Sequence, residues 1–133
     1  MQRAARGMKA LGLRFDLLLT SPLTRARQTA RIVARELKQR RAPMVLRPLA
    51  PGGTTREILA GIPPLPESGS VLLVGHEPGL SRLASDLLLP MEAELSLEIK
   101  KGGLCRIDFD GAARPGAGRL ALLLPPRVLR LLA

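Results

Sequence analysis

The chain contains two stretches in which a short apolar run leads through a turn into a helix-like apolar pattern. The first extends from Phe15 to Leu37, and its run from Phe15 to Leu19 shows little alternation. Such a run is typical of a strand covered on both faces in a parallel sheet. Thr20 or Ser21 is available to cap the helix that follows. Apolar residues then recur every three or four positions and predict one buried helix face: Leu23, Ala26, Ala30, Val33 and Leu37.

The second stretch has the same order of elements. An apolar run from Val71 to Val74 is followed by Gly75, and Pro78 suits the first turn of a helix. The buried face of this helix is predicted to hold Leu80, Leu83, Ala84, Leu87 and Leu88. Two strand-to-helix units of this kind indicate an α/β fold whose strands run parallel.

Weaker patterns account for the rest of the chain. In its first half they predict a helix from Met1 to Leu11, with Ala4, Met8 and Leu11 on one face and Gly12 just after its end. They also predict a strand from Met44 to Leu46 and a short helix capped by Thr54 or Thr55. In its second half, Leu95, Leu97 and Ile99 alternate weakly with polar residues. An antiparallel strand pair is predicted from Leu104 to Phe109 and from Arg119 to Leu124. A short helix is predicted after Pro125 and Pro126. The expected fold class is a three-layer α/β/α domain with a mostly parallel sheet and an antiparallel C-terminal strand pair.

Length and charge limit the possible functions. The length of 133 residues suits a single domain that covers residues 1–133. No apolar run approaches the roughly 20 residues that a membrane span needs. The net charge of +10 comes from 21 basic and 11 acidic residues, and it would attract phosphoproteins, nucleic acid or anionic lipid alike. With two Phe and no Tyr or Trp, stacking platforms for single-stranded nucleic acid are nearly absent.

Cys105 is the single cysteine, so the chain cannot form an intramolecular disulfide, and we expect a reducing compartment such as the cytoplasm. It shares one face of a predicted strand with Ile107 and Phe109, since the three are spaced two residues apart, and this pattern predicts a buried strand cysteine. A cysteine-based phosphatase would need an arginine six residues later, where Gly111 stands. One histidine and one cysteine cannot form a usual zinc site, so no metal is expected.

Arg25 and His76 are the candidate functional residues. Arg25 falls in the first turn of its predicted helix, and His76, the single histidine, follows the Val71 to Val74 strand. Because the carboxyl ends of parallel strands meet at one edge of a sheet, both residues are expected at that edge, where anionic ligands bind. A guanidinium fork and an imidazole both suit a phosphoryl group.

Each candidate also has a structural interpretation. An arginine early in a helix is often solvated or ion-paired, and a lone histidine is often structural. Glu77 could orient a ligand, although stabilising the helix dipole is the simpler role. Ser21 is interpreted as a cap rather than a nucleophile, because no base is adjacent to it in sequence and no glycines form a nucleophile elbow.

Four segments carry a family resemblance. TSPLTRARQTA (20–30) and VLLVGHEP (71–78) resemble signature segments of the histidine phosphatase superfamily, and LRPLAPGG (46–53) and KKGGLCRIDFDG (100–111) resemble the SixA-type phosphohistidine phosphatases. The resemblance implies that Arg25 holds the phosphoryl oxygens and that His76 is the second histidine of the site. It also implies ping-pong phosphoryl transfer from a phosphorylated protein, with no metal or cofactor. Residues 50–56 lack the carboxylate acid of many relatives, and this absence favours a phosphoramidate such as phosphohistidine over an alkyl phosphate.

One family segment has no counterpart here. The family opens with a strand that ends in Arg-His-Gly, whose histidine is the nucleophile, and no such segment occurs in this sequence. We therefore expect an N-terminally truncated domain whose first central strand, beside Val71 to Val74, is missing and which does not hydrolyse phosphohistidine. Two other functions remain open: a non-catalytic phosphate- or phosphopeptide-binding relative, and a basic nucleic-acid-binding module.

Overall fold

The computed structural model describes residues 1–90 and 93–133 and shows a mixed α/β fold. Its helices are α1 (Gln2–Ala10), α2 (Thr24–Glu36), α3 (Thr55–Gly61), α4 (Gly79–Leu88) and α5 (Pro126–Leu131). Its strands are β1 (Leu17–Thr20), β2 (Met44–Val45), β3 (Val71–Val74), β4 (Leu104–Asp108) and β5 (Arg119–Leu124). None of the described helices is long and apolar enough to span a membrane.

A three-stranded parallel sheet in the order β2-β1-β3 forms the centre of the molecule. β1 pairs with β3 over its whole length, from Leu17 opposite Val71 to Thr20 opposite Val74. All four residues of β1 are buried, as the uninterrupted apolar run predicts for a strand with neighbours on both sides. The predicted parallel arrangement of the two strand-to-helix units is therefore confirmed.

Helices cover both faces of this sheet. Successive side chains of a strand point to opposite faces, and Leu18 and Leu19 accordingly belong to two different hydrophobic clusters. The cluster around Leu18 contains residues of α1, α2 and α5, whereas the cluster around Leu19 contains residues of α3 and α4. The predicted three layers, helices on both sides of a sheet, are present.

β4 and β5 form an antiparallel pair, as predicted, but this pair is a separate two-stranded sheet. It nevertheless shares both clusters with the parallel sheet, because Leu104 lies in one cluster and Ile107 packs against the other. Within residues 1–90 and 93–133, the only strand paired with β3 is β1, and all four β3 residues are partly buried. The outer edge of β3 is thus less covered than either edge of β1.

Several predicted details were wrong at the ends of elements. Leu23 is the N-cap residue of α2 and is 45% exposed, so it does not belong to the buried face that Ala26, Ala30 and Val33 form. No side chain caps α2, which overturns the proposed capping role of Thr20 or Ser21. Leu11 is exposed for the same reason as Leu23, since it lies at the boundary of its helix.

Other deviations lie in the second half of the chain. Residues 93–99 form no strand, so the weak apolar alternation there does not indicate one. Cys105 is partly buried rather than buried, beside a register shift between Arg106 and Ile107 that interrupts the alternation of faces along β4. By contrast, Thr54 caps α3 as predicted and forms a capping box with Glu57.

Candidate active site

The turn after β1 places Ser21 at the carboxyl edge of the parallel sheet. Its backbone N–H donates to the carbonyl oxygen of Val74 at 2.9 Å, which continues the β1–β3 ladder by one residue. The Thr20 hydroxyl donates to the Ser21 carbonyl oxygen at 3.0 Å. Ser21 is fully buried, and these contacts hold its backbone in place at that edge.

The turn after β3 is held equally firmly. The His76 carbonyl oxygen accepts a hydrogen bond from Leu80 N at 2.9 Å, and the Glu77 carboxylate accepts from Ser81 N at 3.0 Å and from the Ser81 hydroxyl. A side chain at Gly75 would be tightly packed, because its Cβ atom would lie 3.2 Å from Leu80 Cδ2 and 3.3 Å from Leu49 O. Glu77 therefore supports the start of α4, which agrees with its structural interpretation.

These two turns bring Ser21 and His76 into contact, with 2.8 Å between Ser21 Oγ and His76 Nε2. Ser21 Oγ also accepts a hydrogen bond from Leu23 N at 3.2 Å. With a neutral imidazole protonated on Nδ1, the serine hydroxyl donates to Nε2; with an imidazolium, Nε2 donates to Oγ. In both states the contact fixes the ring orientation of His76.

A cavity of about 220 Å³ lies next to this pair. The turn at His76 and the start of α4 form one wall, and the loop from Leu49 to Gly52 forms the other. Arg82, from the first turns of α4, is exposed and lines the same cavity. The cavity thus combines an oriented imidazole with a guanidinium at the carboxyl edge of the sheet, a combination that suits an anion.

Of the two predicted site residues, His76 lines the cavity and Arg25 does not. Arg25 lies in the first turn of α2, as predicted, but its side chain is exposed and does not line the cavity beside His76. In the part of the chain that the structure describes, the Arg25 guanidinium forms no side-chain hydrogen bond or ion pair. Its five donors are therefore available to a ligand at that edge.

Two other residues of the site were missed by the sequence analysis, namely Ser21 as the partner of His76 and Arg82 as the cation of the cavity. The register explains Ser21: because Thr20 pairs with Val74, the residues one step further, Ser21 and Gly75, also meet. Strand order and register are tertiary information, so the sequence pattern alone could not reveal this contact. Arg82 had a local signal, since it follows His76 within the first turns of the predicted helix.

The environments of two further groups, Glu57 and Cys105, disfavour a role in acid–base or nucleophilic catalysis. A hydrogen bond from the Thr54 side chain, with another from its backbone, holds the pKa of Glu57 below its ordinary value, so Glu57 is a poor proton donor. Burial raises the pKa of the Cys105 thiol and disfavours the nucleophilic thiolate. Among the described residues, no three His, Cys, Asp or Glu side chains cluster closely enough to hold a metal ion.

Comparisons with known proteins identify a family and relatives to which this chain is similar. The sequence profile of the histidine phosphatase superfamily (branch 1) matches residues 1–49. An uncharacterized protein of Picosynechococcus sp. (strain ATCC 27264 / PCC 7002 / PR-6) is 37% identical over 131 residues, which cover 94% of this chain and 77% of that protein. The solved structure of the protein histidine phosphatase SixA complexed with tungstate has the same fold, with a TM-score of 0.75, 24% identity, and coverage of 96% of this chain and 80% of SixA.

Proposed function

Because this chain belongs to the histidine phosphatase superfamily, we propose that its phosphatase chemistry is directed at phosphohistidine in a phosphorylated protein. The observation that carries the proposal is the 2.8 Å contact between Ser21 Oγ and His76 Nε2 at the rim of a 220 Å³ cavity. This contact orients the imidazole of a cavity that is also lined by Arg82, by Glu77 and by the loop from Leu49 to Gly52. The tungstate bound in the SixA structure is a tetrahedral oxyanion, the same kind of ligand that this edge would hold.

The residues at this edge suit phosphoryl transfer. Catalysis of phosphoryl transfer rests mostly on positioning the group and stabilising its charge. His76 and Arg82 offer donors from the cavity, and Arg25 offers further donors from the same edge of the sheet, although it lies outside the cavity. A phosphoramidate nitrogen leaves with less acid assistance than an alkoxide, which fits a site whose one lining carboxylate, Glu77, accepts hydrogen bonds from Ser81, while Glu57 is held in a capping box. Phosphohistidine is therefore the substrate class that these residues favour.

We also propose that the 133-residue polypeptide binds a phosphoryl group without turning it over. Covalent catalysis needs a nucleophile besides the group that assists it, and His76 is the single histidine of the sequence. The same observation keeps a non-catalytic phosphoprotein-binding function as the second candidate. The partly buried Cys105 supports a reducing compartment, and we propose the cytoplasm as the place of action.

The test is binding of vanadate, which mimics the transferring phosphoryl group, to the parent, His76→Ala and His76→Gln polypeptides. We expect both variants to bind about 10- to 100-fold more weakly, because a charge-assisted hydrogen bond is lost. Calorimetric titration gives the affinity, and thermal unfolding gives the stability. His76→Gln retains an amide that can reach Ser21 Oγ, so its melting temperature should stay near that of the parent.

The controls decide what a change in binding means. Arg114→Ala removes an exposed arginine from the β4–β5 loop, far along the chain from both turns, and should leave vanadate affinity unchanged. Unchanged vanadate binding in both His76 variants, together with a lower melting temperature, would assign His76 to a purely structural role and overturn the proposal.

A further inference from the structure

One side of α2 and the segment that follows it carry a row of exposed cations. Three arginines lie one helical turn apart on α2, and three more basic residues follow the end of the helix; all six are exposed. We call this set the α2 cationic stripe: Arg27, Arg31, Arg35, Lys38, Arg40 and Arg41.

No carboxylate of the described residues neutralises the α2 cationic stripe. The ion pairs found in residues 1–90 and 93–133 involve Arg6, Arg106 and Arg119, none of which belongs to the stripe. The single carboxylate of α2, Glu36, instead faces α1, where it accepts a hydrogen bond from Gln2 Nε2 at 2.8 Å and pairs with Arg6. The charge of the stripe is thus open to a partner.

The stripe also opposes the stability of its own helix. Like charges spaced four residues apart on a helix repel each other, and this spacing separates Arg27 from Arg31 and Arg31 from Arg35. Arg25 and Arg27 lie near the N-terminus of α2, where the helix dipole disfavours cations. The buried face of Ala26, Ala30 and Val33 holds the helix in place despite this repulsion. An acidic surface laid along the stripe would relieve it.

We propose that the α2 cationic stripe is the docking surface for an acidic face of the phosphorylated protein. This inference rests on the proposed function and adds the character of the partner. The stripe begins at Arg27, in the same first turn of α2 as Arg25, and extends about 12 Å along the helix to Arg35, away from the carboxyl edge of the sheet. An acidic surface that adjoins a phosphoryl group at that edge is within reach of the stripe.

Nucleic acid is the other polyanion that such a stripe could attract, and the aromatic residues argue against it. Both phenylalanines of the chain, Phe15 and Phe109, pack against the hydrophobic clusters, and the chain has no Tyr or Trp. Bases would find no exposed ring on which to stack. An acidic protein face needs no such ring, because carboxylates pair directly with guanidinium groups.

The test uses four fluorescein-labelled probes. The first is a peptide with a phosphoryl-triazolylalanine residue, a stable phosphohistidine mimic, followed by six glutamates. The others are the same peptide with six glutamines, the glutamate peptide with alanine in place of the mimic, and single-stranded DNA of equal charge. Arg31→Glu/Arg35→Glu should weaken binding of the glutamate peptide roughly tenfold and leave the glutamine peptide unchanged. The matched control, Arg114→Glu/Arg127→Glu, changes two exposed arginines elsewhere by the same net charge. It should change glutamate-peptide binding less than twofold.

Three results would overturn the docking surface: equal weakening by both double variants, no preference of the parent for glutamate over glutamine, or tighter binding of DNA than of the glutamate peptide. Failure of the proposed function gives a different result. In that case the parent binds the mimic peptide and the same peptide with alanine in its place equally tightly. Arg31→Glu/Arg35→Glu still weakens binding of the glutamate peptide.

Discussion

Ser21 shows how one residue can connect two elements that are far apart in sequence. Its hydroxyl accepts a hydrogen bond from Leu23 N at the start of α2 and contacts the imidazole of His76 after β3. A fully buried hydroxyl needs such partners, because an unpaired polar group is costly away from water. Ser21 thereby holds the only histidine of the chain in a single orientation.

At the same scale, Arg25 is expected to act through the shape of its guanidinium as well as its charge. Lysine keeps the charge but loses the planar fork that binds two oxygens at once. We therefore predict that Arg25→Lys weakens vanadate binding nearly as much as Arg25→Ala, by about tenfold. Calorimetric titration measures the effect, with Arg27→Lys on the same helix as the control. A lysine variant that binds as tightly as the parent would reduce Arg25 to a surface charge.

The sequence predicted those residues whose environment is set by neighbours in the chain. Val33 and Leu83 were assigned correctly to buried helix faces, because an apolar stripe has no other place to go. Leu23 was assigned wrongly, because apolar spacing continues across a helix end without marking it. The Ser21–His76 contact depends on which strands are neighbours and in which register, and neither is encoded in local spacing.

At the scale of elements, α1 and α5 approach each other unusually closely. A Cβ atom at Gly7 of α1 would lie 1.9 Å from the carbonyl oxygen of Leu129, which is fully buried in α5. The obstacle is backbone, so no side-chain rotation can relieve it. The sequence offered the apolar face of α1 but gave no sign that Gly7, inside a helix, marks a contact between helices.

We predict that Gly7→Ala lowers the free energy of unfolding by about 1–3 kcal/mol, because the two helices must separate. The control is Gly79→Ala in α4, where a Cβ atom meets nothing within 4 Å and alanine favours the helix. Urea titration of both variants measures the difference. A Gly7→Ala variant as stable as the parent would mean that α5 is not docked on α1 in solution.

At the scale of the whole molecule, the two sheets share their hydrophobic clusters without sharing a hydrogen bond ladder. Val74 of β3 and Leu104 of β4 belong to the same cluster, and Leu73 and Ile107 to the other. Yet the described strands form two separate hydrogen-bonded sheets, one in the order β2-β1-β3 and the other of β4 and β5. The outer edge of β3 is the place in this arrangement where a further parallel strand could pair.

This edge gives the last prediction. A strand of about five residues that ends in Arg-His-Gly and leads directly into α1 would be a third strand-to-helix unit, parallel to β1 and β3. Its histidine would then stand at the carboxyl edge, beside His76, as the nucleophile that covalent phosphoryl transfer requires. We predict that a polypeptide extended in this way releases phosphate from a phosphohistidine protein, whereas the 133-residue polypeptide does not.

An extension ending in Arg-Ala-Gly is the matched control, and it should protect the β3 amides from hydrogen exchange equally well without releasing phosphate. Phosphate release by the 133-residue polypeptide itself, or none by the Arg-His-Gly extension despite protected β3 amides, would show that the nucleophile of this site is a different group.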